Sequence, residues 1–200
     1  MGSLGLSDDQ RRRAWHLIRP WLAVLLRTAQ CLTRREQDAH DLVQETALKA
    51  MRGIDTFQPG TDEKAWLLTI MRRAHVDAIR KASRQVATWS LDAGDRFDVA
   101  APGDENQPGR HDDLWAQPDA MMQQFSDQAI IDALRQLPDD MRWTLLLVDI
   151  EGLEVATAAG VMGVATGTVK SRSHRARAML RDRLHSLALA RGLIGKASAP

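Results

Sequence analysis

Apolar residues recur three and four positions apart along most of this 200-residue chain, and they stop doing so between about Gln85 and Phe125. That spacing is the period of an amphipathic helix, which has one apolar stripe to bury. Period-two alternation with β-branched or aromatic residues, the mark of a strand, is absent. The aperiodic stretch collects Asp92, Asp95, Asp98, Asp104, Glu105, Asp112, Asp113 and Asp119, with Pro102, Pro108 and Pro118 among them. Such a composition suits a solvated tether better than a core. The chain is therefore predicted to be all-α: two small helical bundles joined by a flexible acidic linker. The expected divisions are an N-terminal extension over 1–11, a three-to-four-helix bundle over 12–85, the linker over 86–126, a second bundle over 127–190 and a tail over 191–200.

In the first bundle, Trp15, Ile18, Leu22, Leu25, Leu26, Ala29 and Leu32 form a stripe on a helix over about 12–32, with Pro20 as its true start or a kink. Asp38 is the expected N-cap of a second helix ending near Ile54, with Leu42, Val43, Ala47, Ala50, Met51 and Ile54 facing inward. Its opposite face shows Asp41, Gln44 and Glu45 around Leu48, the pattern of a small protein-binding patch: an apolar anchor with a polar rim. Phe57-Gln58-Pro59-Gly60-Thr61 breaks the pattern, and a third helix follows from about Asp62 to Arg84. Leu67, Ile70, Met71, Ala74 and Ala78 fill its inner arc, while Thr69, Arg72, Arg73 and Arg80 share an outer one. A basic arc behind a flexible loop suits an opened DNA strand, with arginines on phosphates and the loop pocketing an extruded base. For Phe57 and Trp66, core packing is the simpler role.

In the second bundle, Ile130, Ile131, Leu134 and Leu137 mark one helix. Pro138-Asp139-Asp140 starts another, which carries Leu145, Leu146, Leu147 and Ile150 and stops at Gly152. Val155 to Arg177 reads as helix-turn-helix, with Gly163 in the tight turn. On the longer helix, from about Thr166 to Leu187, Val169, Ala176 and Leu180 point to the core. Lys170, Ser171, His174, Arg175, Ala178 and Arg181 fall on the other side. With Thr168 and Arg172, these place hydroxyl and basic donors at the N-terminal end of a helix aimed into a major groove. A solvated basic face would carry the same charges without the glycine turn and the buried Val169.

Net charge is +1, so bulk electrostatic coating of nucleic acid is excluded and the segregation of charge along the chain matters more. Cys31 is the single cysteine, which rules out an internal disulfide and suits a buried thiol in a reducing cytoplasm. The apolar run Trp21 to Leu26 falls far short of the roughly 20 residues that span a bilayer. Membrane insertion and export are not expected. His40-Asp41 and His75-x-Asp77 lack a paired i, i+4 ligand, and neither a phosphate loop nor a nucleophile elbow accompanies them. Solvated or capping histidines are expected there, with no catalytic residue, no metal and no cofactor.

Asp41-Leu42-Val43-Gln44-Glu45-Thr46 resembles the signature of sigma region two, and Phe57 to Thr61, Ala65-Trp66-Leu67 and Asp77-Ala78-Ile79-Arg80 resemble its continuation. Leu137-Pro138, Glu151-Gly152-Leu153, Gly167 to Arg172 and His174-Arg175-Ala176-Arg177 are similar to sigma region four. The ordered set resembles the extracytoplasmic-function (ECF) group of RNA polymerase sigma factors. That resemblance implies a non-enzymatic, cytoplasmic subunit, monomeric when free, that docks on the clamp helices and flap of the polymerase core. Asp41, Gln44, Glu45 and Leu48 would bind polymerase. Phe57, Gln58, Thr61, Thr69, Arg72, Arg73 and Arg80 would hold the minus-ten element. Thr168, Lys170, Ser171, Arg172, His174 and Arg175 would read the minus-thirty-five element. The acidic linker would thread the polymerase channel, and an anti-sigma factor would silence the protein.

Some residues depart from that pattern. Ser173 stands where the family has leucine, and burying its unpaired hydroxyl would cost about 1–3 kcal/mol. Ala156, Thr157 and Ala158 replace an E-E-I run, Ala165 takes a capping position that Thr166 would fill instead, and Arg73 replaces an asparagine. Two rival readings keep the helix-turn-helix. One is a sigma-mimicking adaptor that captures an anti-sigma factor, and the other is a conventional regulator, which would be dimeric on a palindromic site.

Overall fold

A computed structural model describes residues 6–90 and 127–190 of the chain. The described residues are helical, without a strand. The first lobe holds α1 (Asp8–Ile18), α2 (Leu22–Leu32), α3 (Glu36–Arg52) and α4 (Glu63–Ser90). The second holds α5 (Asp127–Arg135), α6 (Asp139–Leu145), α7 (Val155–Met162) and α8 (Thr166–Ala190). The linker expected over 86–126 lies outside the described residues except for its first five positions, which continue α4.

α1 starts within the expected N-terminal extension because Ser7 and Gln10 form a reciprocal cap, Gln10 N–H to Ser7 Oγ and Ser7 N–H to Gln10 Oε1. Pro20 divides the expected first helix into two: a 3₁₀ turn, Arg19–Trp21, takes the proline at its start, where no N–H is needed. The turn changes the phase of the stripe. Ala14, Leu17 and Ile18 are buried, while Trp15, expected to face inward, is 47% exposed. α3 begins at Glu36 with Arg35 at the capping position and no side-chain cap. Asp38 therefore lies in the first turn, where its charge favours the helix dipole, and does not cap. On α4, Leu67, Met71 and Ala74 are buried as expected, but Ala78 is exposed, because the helix has by then run past the bundle.

In the second lobe Trp143, Leu146, Leu147, Val169 and Ala176 are fully buried. The helix begun at Asp139 does not run regularly to Ile150. It widens into a π turn, Leu146–Ile150, with the Glu151 N–H bonded to the Leu146 C=O. Gly152 ends it at φ +65°, a left-handed conformation that disfavours any residue with a Cβ.

The two lobes pack on each other. α4 lies against α7, and α2 lies against α5 and α6, so one continuous apolar core runs through both. Arg135 on α5 donates from Nε and Nη2 to the Gln30 C=O at 3.1 and 2.9 Å, and Arg142 Nη1 reaches the Leu32 C=O at 3.1 Å. These bonds satisfy carbonyls at the C-terminal end of α2 that have no partner within the helix.

Candidate polymerase and nucleic-acid interfaces

Three surfaces carry the residues singled out above. On α3, Asp41, Gln44 and Glu45 are exposed and Leu48 is half-buried beside them. Gln37 Nε2 donates to Asp41 Oδ1 at 3.2 Å. Lys49 lies 3.6 Å from Glu45 and 3.4 Å from Asp77 of α4, so it ties this face to the neighbouring helix. The result is an acidic rim around a partly covered leucine, with nothing from the second lobe bonded to Asp41 or Glu45 among the contacts described.

The second surface joins the 57–62 loop to α4. Gly60 has φ +89°, and the tight turn is closed by Thr61, whose N–H and hydroxyl both donate to the Gln58 C=O. Asp62 accepts the Ala65 N–H at 2.9 Å and so caps α4. Gln58 and Thr61 are exposed. Phe57 and Trp66 are each half-buried, with ring centroids 5.2 Å apart and planes tilted by 59°, and both pack on the edge of the core. A cleft of about 510 Å³ opens beside Trp66, lined also by Lys49, Thr56, Thr69, Arg73 and Asp77. The Thr69 hydroxyl donates to the Ala65 C=O.

The basic arc of α4 is not uniform. Arg73 and Arg80 are exposed, whereas the Arg72 side chain is 20% exposed and lies 3.7 Å from Asp140 of the second lobe. His75, expected to be solvated or capping, is buried, and its Nδ1 accepts the Trp143 indole N–H at 3.2 Å. His40 does sit in solvent, 3.8 Å from Glu36.

The third surface is the helix-turn-helix. Gly163 ends α7 at φ +66°, and α8 opens with Thr166 as its first residue; the Thr168 and Val169 N–H groups bond the Ala165 C=O. The expected cap by Thr166 is therefore not formed. Lys170, Ser171, His174 and Arg175 are exposed, and Thr168 is half-buried. The Ser171 hydroxyl bonds the Thr168 C=O at 3.0 Å. Arg172 is drawn back to Asp140 Oδ2 at 2.8 Å. Ser173 is 6% exposed, and its hydroxyl finds no partner, as its departure from leucine implies.

Residues 17–85 match the family model of Sigma-70 region 2, and residues 127–180 match Sigma-70, region 4. The chain is 39% identical over 142 residues to the ECF RNA polymerase sigma factor EcfG of Rhodopseudomonas palustris, covering 71% of this chain and 68% of that one. It belongs to the ECF sigma factors. Another member, SigE of Mycolicibacterium smegmatis, is 34% identical over 179 residues, covering 88% of this chain and 64% of its own length. Among solved structures, the sigma factor RpoE of Bartonella quintana, in complex with the anti-sigma factor NepR, superposes with a TM-score of 0.62 at 32% identity. That match covers 86% of this chain and 98% of RpoE.

As a sigma factor the chain is a transcription-initiation subunit, and no helix among its described residues is long and apolar enough to cross a membrane. Two features of this sigma factor were not foreseen from its sequence. Asp140 holds one arginine from α4 and one from α8, Arg72 and Arg172. Glu151, within the region-four motif, is buried and paired with Arg27 of the first lobe at 2.8 Å. A buried carboxylate needs such a partner, but nothing local in the sequence marks Glu151 as buried, so no sequence signal pointed to the pair.

Proposed function

We propose that this sigma factor docks on the polymerase core through Asp41, Gln44, Glu45 and Leu48, captures the opened minus-ten strand with the 57–62 loop and α4, and reads the minus-thirty-five duplex with α8. The carrying observation is the exposed donor set Lys170, Ser171, His174 and Arg175 on a helix opened by the Gly163 turn, in one chain with an acidic face on α3. The cleft against Trp66, about 510 Å³ in volume with Arg73 on its wall, would take one extruded base, and the exposed Arg80 lies two turns further along α4. Arg72 and Arg172 join these contacts once released from Asp140. The chain works as a subunit in the cytoplasm, without catalytic residues, metal or cofactor, and as a monomer when free. The relative solved with NepR supports control by an anti-sigma factor here too.

With a net charge of +1, the free protein binds promoter DNA weakly and polymerase supplies most of the affinity. The test is run-off transcription with purified core polymerase on a promoter library. Salt-sensitive initiation from asymmetric promoters is expected. Glu45→Arg removes an acidic rim contact and weakens core binding by about 2 kcal/mol or more, roughly thirtyfold, if the face is an interface hot spot. Unchanged assembly of the Glu45→Arg protein, or tight palindrome binding by a dimer without polymerase, would overturn the proposal.

A further inference from the structure

One wall of the cleft beside Trp66 is a turn that α1 grips from the other side. This 3₁₀ turn, Ile54–Thr56, joins the end of α3 to the 57–62 loop. The Thr56 N–H bonds the Gly53 C=O at 2.8 Å, and the Phe57 N–H bonds the Ile54 C=O at 3.2 Å. The Thr56 hydroxyl adds a second bond to the Gly53 C=O at 2.7 Å. Gly53 and Thr56 line the cleft, and Ile54 is buried in the core. Asp55 does neither. Its carboxylate meets α1, where Gln10 Nε2 donates to Oδ2 at 2.6 Å and Arg13 Nη2 to Oδ1 at 3.0 Å.

We infer that Asp55 is a positioning residue for strand capture: through it, Gln10 and Arg13 of α1 hold the turn that sets the 57–62 loop and one wall of the cleft. This rests on the functional reading above and deepens it. Gln10 is engaged at both ends of its amide. Its Oε1 accepts the Ser7 N–H at 2.8 Å within the reciprocal cap, which orients its nitrogen toward Asp55. Arg13 is held too, with Nε 3.1 Å from Asp9 Oδ2 one turn earlier. The Arg13–Asp55 pair is exposed, and alone it would contribute little. Here, however, both oxygens of one carboxylate meet donors that α1 has already oriented, so little side-chain freedom is lost in forming the pair. The first turn of α1, in the expected N-terminal extension, thereby gains a task in promoter opening.

The sign of the effect separates this role from simple charge. Asp55 is an exposed carboxylate just before a loop that takes a DNA strand, so electrostatics alone predicts tighter strand binding once its charge is removed. The brace predicts the reverse. A turn no longer tied to α1 has to be ordered when the strand arrives, and that ordering weakens binding.

The experiment is a donor–acceptor swap in the full chain, alone and with core polymerase. Gln10→Glu keeps the reciprocal cap, because glutamate also accepts the Ser7 N–H, but it sets a second carboxylate against Asp55. Asp55→Asn leaves one acceptor oxygen for two donors and turns an amide N–H toward Gln10. Each single change is expected to weaken holoenzyme binding to a minus-ten single strand about three- to tenfold in fluorescence anisotropy. Each should also flatten the base preference across a minus-ten library, which a uniform loss of folded protein would not do. The combined Gln10→Glu and Asp55→Asn protein has the charge of the wild type and a restored pair, Asn N–H to Glu with the Asn oxygen on Arg13. It should bind the strand within about twofold of wild type. Affinity for core and for a minus-thirty-five duplex should stay at the wild-type level in all three proteins. In the free chain, amide exchange at Thr56 and Phe57 should quicken in the single variants and recover in the combined one. Tighter strand binding by Asp55→Asn, single variants that bind and exchange as the wild type does, or a combined variant that recovers neither property, overturns the brace. A wild-type holoenzyme indifferent to the minus-ten strand overturns the functional reading instead, and amide exchange in the free chain still decides whether α1 holds the turn.

Discussion

α4 and α8 are the two long helices of the molecule, 28 and 25 residues, and each carries a basic face, yet they present it differently. α8 leaves Lys170, His174 and Arg175 in water and holds Arg172 on Asp140 of its own lobe. α4 leaves Arg73 and Arg80 in water, but turns Arg72 and His75 under the opposite lobe. Under the proposed roles, the duplex-reading helix keeps its basic face within its own lobe, while the strand-capturing helix packs part of its basic face under the other lobe. The asymmetry suits the chemistry. A duplex exists before polymerase acts, whereas the opened strand appears only afterwards, and exposing every strand-binding arginine earlier would invite unproductive binding.

Trp143 connects the two helices, since it donates to His75 of α4 and sits in α6, which packs along α8. Trp143→Ala should therefore have the largest effect of any single change: a loss of about 3–5 kcal/mol of stability from the cavity and the missing indole. Thermal unfolding measures it. The loss should fall on the second lobe and its docking, so proteolysis of the variant should spare α1–α4. Equal susceptibility of both lobes would break the comparison.

Arg175→Ala and Arg73→Ala sharpen it. Each should cost about 1–3 kcal/mol of promoter recognition. Arg175→Ala should weaken binding to a minus-thirty-five duplex, and Arg73→Ala should weaken only the opened minus-ten strand, both measured by fluorescence anisotropy with holoenzyme. A common loss on both probes would mean that the helices do not divide the work.

Ser173 offers a smaller effect of opposite sign. Its hydroxyl is buried on α8 without a partner, whereas the buried Thr46 hydroxyl of α3 reaches the Leu42 C=O at 2.7 Å. Ser173→Ala should raise the melting temperature, by an amount equivalent to about 1 kcal/mol, because the orphaned hydroxyl goes while the fit is kept. A drop in stability would show that the hydroxyl is satisfied in solution, for example by a buried water.

What the sequence disclosed is what local spacing can carry. The three-and-four period located α3, α7 and α8, Gly163 marked the end of α7 and Gly152 the end of the helix begun at Asp139, because helix formation and left-handed turns depend on neighbouring residues. The exposed donors of α8 followed from the same wheel. Trp15 and Ala78 were misplaced because a stripe drawn through Pro20, or to the end of α4, ignores where the bundle stops. The closure of the lobes was invisible for a different reason. Its ties join His75 to Trp143, 68 positions away, and Arg27 to Glu151, 124 positions away, and no periodicity links residues so distant. In the sequence His75 is one more polar residue on a helix; only packing makes it an acceptor.

The smallest predicted effect tests that acceptor. Burial lowers the pKa of His75 from its ordinary 6.5; Asp139, 3.8 Å away, opposes the shift, and Arg142 and Arg72 reinforce it. In the folded structure Nδ1 must stay unprotonated to accept the Trp143 N–H, so folding favours the neutral ring. In the unfolded chain, the histidine binds a proton near its ordinary value. The neutral state's contribution is therefore fully present above pH about 6.5, and it declines as the pH falls from there toward the lowered pKa of the folded protein. Melting temperature, followed from pH 8 to pH 5, should fall over the acidic part of that range, with Asp139 softening the change. His75→Gln keeps an acceptor for the indole without a titrating group, so it should flatten the profile while leaving the melting temperature at pH 8 close to wild type. An unchanged profile in that variant would move the pH dependence to Asp139 or Asp140 and leave the asymmetry of α4 and α8 resting on Arg72 alone.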